Sequence, residues 1–130
     1  MNINQQNSTD YFANSYLKTT FSQDYWPTQP YLVTVSQGLT AKPPAPFNAT
    51  FQNDPAFDAL YAQAVGTLDK GKQADLAHQM QRIEYDTGGN IIPYFFPVID
   101  AATQKVQGVK ETKNGLSPGG FDWKHFWLSA

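Results

Sequence analysis

The residues best suited to chemistry in this chain are Phe21-Ser22-Gln23-Asp24-Tyr25-Trp26-Pro27. A carboxylate followed by two aromatic side chains, on a loop stiffened by proline, makes a receptor for an ammonium group. Asp24 would supply the charge, and Tyr25 and Trp26 the apolar walls and a cation–π surface. The same residues also suit a turn that opens at Asp24 with the aromatic rings covering a core.

No catalytic set can be assembled elsewhere. His78 falls within a helical pattern and His125 near the end, neither with a carboxylate at metal-ligand spacing, and His-Glu-x-x-His is absent. The six serines have no Gly-x-Ser-x-Gly context, and Gly88-Gly89 and Gly119-Gly120 read as turns rather than phosphate cradles. Asp54 and Asp58 are four apart on one helix, but Asp54 is better explained as its cap. With no cysteine there is no disulfide, thiolate metal site or Cys nucleophile. Sequons at Asn7 and Asn48 barely exceed chance for this composition. The expectation is a protein that is not an enzyme and carries neither cofactor nor metal.

Composition narrows the class further. The 130 residues carry a formal charge of -2, with charged and aromatic residues at 15% each. So many aromatics at so low a charge exclude a disordered tail. Near-neutral charge with a single Arg argues against a surface that tracks nucleic-acid phosphates. No apolar run is long enough for a membrane-spanning helix. The polarity is mostly uncharged, with 12 Gln, 11 Thr and 8 Asn. That suits a surface for a neutral or zwitterionic solute, and equally an ordinary polar skin.

The elements that must position Asp24 follow from spacing. Asn7-Ser8-Thr9-Asp10 offers caps for a short helix in which Phe12 and Tyr16 share a face. Thr19-Thr20-Phe21-Ser22 reads as a strand. Six of the nine prolines fall in 27–55, so residues 23–52 read as one long loop, with room for a short element at Tyr31–Ser36. Asp54-Pro55 opens an amphipathic helix through Phe57, Leu60, Tyr61, Ala64, Val65 and Leu68, expected to end near Gly71. A second helix carries Leu76, Met80 and Ile83 and ends at Gly88-Gly89, which makes an αα-hairpin. Pro93 and Pro97 break the apolar stretch 91–99 into two short extended pieces. Residues 100–110 read as weakly extended, 115–120 as a turn-rich loop, and the aromatic C-terminus as docked against something.

This order of signals resembles the C-terminal part of family 5 extracellular solute-binding proteins, the peptide- and nickel-binding components of ABC importers. The resemblance rests on Phe21-Ser22-x-Asp24-Tyr25, the proline loop, and Asn48-Ala49-Thr50. It continues through Asn53-Asp54-Pro55-x-Phe57-Asp58-x-Leu60, Ile91-Ile92-Pro93-Tyr94-Phe95-x-Pro97 and the closing Phe126-Trp127-Leu128. It implies an α/β fold: a partial lobe of a two-lobed class II periplasmic-binding-protein fold, with an αα-hairpin and a mixed sheet. Residues 1–96 would belong to the second lobe, and 97–130 would return to the first. The function implied is capture of peptide-like solutes between lobes at the extracellular membrane face or in the periplasm. The partners implied are an ABC permease and an N-terminal lobe of the same protein, with a signal peptide and lipid anchor lying outside these residues. Asp24 falls on the position that pairs with a peptide's α-ammonium, with Phe21, Ser22, Tyr25 and Trp26 around it. A chain lacking the first lobe is expected to show no affinity for peptides at micromolar concentration, with residues 97–130 either folding back on the αα-hairpin or exchanging with a neighbouring chain in a segment-exchanged oligomer. The competing reading is a free-standing, aromatic-rich carbohydrate-binding module, which requires a mostly β fold.

Overall fold

The computed structural model describes residues 3–97, 99–110 and 119–129. They fall into two compact units, one of residues 3–24 and 30–91, the other of 25–29, 92–97, 99–110 and 119–129.

The core of the first unit is built by three helices, α1 (Tyr31–Gly38), α2 (Pro55–Gly66) and α3 (Lys70–Thr87). Val35, Leu39, Phe57, Ala64, Leu76 and Met80 are buried together, flanked by Tyr31, Leu32, Leu60, Tyr61, Ala77 and Ile83. The expected αα-hairpin is present as α2 and α3. Asp54 caps α2 by accepting from the Ala56 and Phe57 N–H groups at 2.8 and 3.2 Å. Asp69 caps α3 through the Gly71 and Lys72 N–H groups at 2.9 and 3.1 Å.

That second cap corrects the expected end of the first helix. The chain leaves α2 at Gly66, five residues before Gly71, because Asp69 already starts α3. Leu68, assigned by periodicity to the buried face, is therefore 97% exposed. Gln73 closes the junction by donating from Nε2 to the Ala64 carbonyl at 2.9 Å, which satisfies an acceptor that the short connection would otherwise leave open. At the far end, Gly88 donates to the Glu84 carbonyl at 2.8 Å, and a Cβ there would lie 2.4 Å from that oxygen.

Two further expectations change. The long loop 23–52 contains a full helix, α1, starting directly after Pro30. Its β-branched Val33-Thr34-Val35 run disguises a helical repeat, in which Tyr31, Val35 and Leu39 lie four apart and pack on the core. The strand expected at 19–22 is not formed. The Thr19 N–H and hydroxyl both turn back to the Ser15 carbonyl, at 3.2 and 3.0 Å, and take the bonds a neighbouring strand would have received.

Asp58, in the first turn of α2, is buried. Its two carboxylate oxygens accept the backbone N–H groups of Ala41 and Lys42 at 3.0 and 2.9 Å. The loop after α1 is thereby pinned to α2. It closes on itself through Thr40 Oγ1 to the Pro43 carbonyl, 2.7 Å, and Phe47 N–H to the Gln37 carbonyl, 2.8 Å. Asn48 organises the next turn: its Oδ1 accepts from Gln52 N–H and its Nδ2 donates to the Gln52 carbonyl. This sequon asparagine thus spends its amide on the fold.

In the second unit, β1 (Val106–Gln107) pairs antiparallel with β2 (Trp127–Leu128), Val106 opposite Leu128. This is the whole sheet among the described residues, in place of the mixed sheet expected. Gly108, at φ +83°, lies so close to the His125 carbonyl that a Cβ would approach to 1.9 Å. Residues 91–97 and 99 form neither helix nor strand. The predicted turn-rich loop 115–120 lies largely outside the described residues; Gly119–Phe121 and Trp123–His125 are single 3-10 turns.

Replacing Asp58 with Ala leaves two backbone donors without their charged acceptor and should cost about 2–4 kcal/mol in urea denaturation. A second expectation concerns Glu84, whose Oε1 accepts from the Tyr31 hydroxyl at 2.8 Å. Burial raises the Glu84 carboxyl above its usual 4.5, and the bond from Tyr31 only partly offsets this. The native state therefore binds more protons than the unfolded chain between those two values. The contribution is constant below the usual value, and stability declines as pH rises through the interval. Glu84→Gln, which keeps an acceptor for Tyr31, should flatten that decline in denaturation midpoints measured across pH.

Candidate ligand-anchoring site

The elements that hold Asp24 begin at Asn7. Its side chain caps the turn Ser8–Asp10 by accepting from Asp10 N–H at 2.9 Å. The turn continues as a wider one over Tyr11–Ser15, closed by Tyr16 N–H to the Tyr11 carbonyl at 2.8 Å. The five-residue spacing of that bond brings three rings together. Tyr11 lies 5.1 Å from Phe12 and 5.9 Å from Tyr16, and Phe12 lies 5.3 Å from Tyr16. Phe47, on the loop that Asp58 pins, extends the cluster to Tyr16 at 6.5 Å. Leu17, at φ 60°, reverses the chain so that 19–24 returns over these rings.

Both phenols then grip the returning segment. The Tyr11 hydroxyl donates to Ser22 Oγ at 3.0 Å. The Tyr16 hydroxyl bonds the Asp24 carboxylate. Burial, then the Asp24 charge and this bond, push the Tyr16 hydroxyl up to about 12. The carboxylate at the predicted anchor position is thus held by a neutral phenol, on a segment tied down two residues earlier.

Of the five residues singled out from sequence, Phe21, Ser22 and Asp24 lie in the first unit, with Phe21 75% exposed. Tyr25 and Trp26 are grouped with the second unit. Tyr11 and Tyr16 were not expected at the site. The signal for them was weak: the spacing of Phe12 and Tyr16 spoke for a helical face, not for hydroxyls reaching forward to Ser22 and Asp24.

Other places offer less chemistry. A shallow cleft of about 280 Å³ lies between Pro30, Tyr31 and Leu32 at the start of α1 and Lys70, Gln73, Ala74 and Ala77 of α3. Lys70 Nζ is turned to Gln73 Oε1 at 3.3 Å. His125 Nε2 approaches Asp122 at 3.4 Å in an exposed pair, and His78 lies exposed on α3. Among the described residues no group of three His, Cys, Asp or Glu is placed to hold a metal ion, and no helix is long and apolar enough to cross a membrane.

No family model, curated protein or solved structure matches this chain.

Asp24→Ala should lower the Tyr16 hydroxyl from about 12 toward its usual 10.0 while burial holds it above that value. Site-resolved NMR titration of the Tyr16 ring checks this, and an unchanged titration would show that Asp24 is not its partner.

Proposed function

We propose that this chain is the C-terminal part of a solute-binding component of an ABC importer, and that Asp24 anchors the ammonium group of a peptide-like solute. One observation carries the reading: two tyrosines of a single turn grip Ser22 and Asp24, so the carboxylate is oriented before any solute arrives. A preoriented charge loses less entropy on binding than a mobile one. The sequence order adds support, from Phe21-Ser22-x-Asp24 through Asn53-Asp54-Pro55 to Ile91-Ile92-Pro93-Tyr94. In this reading a second lobe closes over the solute, backbone groups and aromatic walls complete its burial, and the closed form docks a permease. The alternative carbohydrate-binding module needs a largely β framework, and the helices α1 to α3 weigh against it.

Within its full reading frame, the protein should bind short peptides with a free amino terminus. Asp24→Ala should weaken that binding by about 2–5 kcal/mol through loss of a buried charge pair. Equal calorimetric affinity for a peptide and its N-acetylated form would overturn the anchoring role. The 130-residue chain alone, carrying at most half of such a cleft, should show no saturation by micromolar peptide.

A further inference from the structure

A serine hydroxyl has one proton to donate and two lone pairs with which to accept. At Ser22 one lone pair takes the Tyr11 hydroxyl at 3.0 Å. A phenol is a stronger acid than an aliphatic alcohol, so the phenol is the donor of such a pair. The bond holds the Ser22 side chain and leaves its own proton unspent. Among the described residues Ser22 Oγ has no partner but Tyr11, and Ser22 lies exposed two residues before Asp24. Accepting from the phenol also polarises the serine hydroxyl and makes it a better donor in turn.

Ser22 and Asp24 share one face of the returning segment. Both are held by the turn that carries Tyr11 and Tyr16, whose ring centroids are 5.9 Å apart. The face therefore offers a charged acceptor and a neutral donor together. A simple amine has nothing to give the donor. The amino-terminal residue of a peptide has both complementary groups: an α-ammonium that donates, and a carbonyl oxygen about 3 Å from it that accepts.

We propose that the Ser22 hydroxyl donates to the first carbonyl oxygen of a peptide whose α-ammonium sits on Asp24, so that the two side chains select an α-amino acyl group over other amines. This inference rests on the role of Asp24 as the ammonium anchor. Asp24 responds to charge alone, and Ser22 to the carbonyl beside that charge. An amine without the carbonyl would bury the Ser22 proton with no acceptor, and that cost adds to the discrimination.

Calorimetry of the protein in its full reading frame tests the pair with two ligands. One is trialanine; the other is its analogue with an (E)-alkene in place of the first peptide bond. The analogue keeps the ammonium group and the extended shape but has no first carbonyl. Ser22→Ala should weaken trialanine binding roughly 3- to 10-fold, as loss of one neutral hydrogen bond does, and leave the analogue unchanged. Ser22→Thr, which keeps the hydroxyl, should bind trialanine close to the original affinity. If N-acetylation abolishes trialanine binding but Ser22→Ala weakens both ligands equally, or neither, the role of Ser22 is overturned and the anchor stands. Trialanine binding that is absent from the unaltered protein, or indifferent to N-acetylation, would overturn the anchor and the role of Ser22 with it.

Discussion

The first unit depends on one buried carboxylate. Asp58 takes two backbone N–H groups from the loop that follows α1, and it does so from the first turn of α2, where the helix dipole favours a negative charge. The charged contact matters because Lys42-Pro43-Pro44-Ala45-Pro46 has three prolines and so few backbone donors with which to fix itself. The consequence runs outward. Holding Ala41 and Lys42 sets the path to Phe47, Phe47 meets the Tyr16 ring, and Tyr16 holds Asp24. The interior carboxylate and the surface carboxylate are thus successive links of one chain of contacts.

The hairpin was legible in the sequence because its signals are local. Asp54-Pro55, the apolar repeat through Ala64 and the pair Gly88-Gly89 each act within a few residues of where they stand. The legible signals failed where two of them competed. Asp69 could end one helix or begin the next, and its geometry serves the next, which moved the boundary and exposed Leu68. Tyr31 to Gly38 carried strand-like residues on a helical repeat, and packing of Val35 and Leu39 against α2 and α3 decided for the helix. Asp58 looked like the spare member of an acidic pair, since its partners, Ala41 and Lys42, are backbone groups 17 and 16 residues away that no side-chain pattern announces.

Asp24 was visible as a residue type and a spacing. Its neighbours were not, because a hydroxyl at Tyr16 reaches it only after Leu17 turns the chain into the left-handed region. Such a reversal at a non-glycine residue leaves no mark in composition. The pairing gives the site a character that residue types alone do not suggest: the carboxylate is buttressed by an acid that stays protonated far above physiological pH. A phenol in that role supplies a donor without a positive charge, and so orients the anion without neutralising it.

The connection between α2 and α3 has a consequence for the order of events during synthesis. Three residues join the helices, each helix carries its own cap, and Gln73 closes the junction onto Ala64. Contacts so near in sequence form early and quickly. On the ribosome, residues 55–87 can therefore finish packing while the aromatic segment from Ile91 onward is still in the exit tunnel. The aromatic segment therefore emerges after the hairpin has already closed.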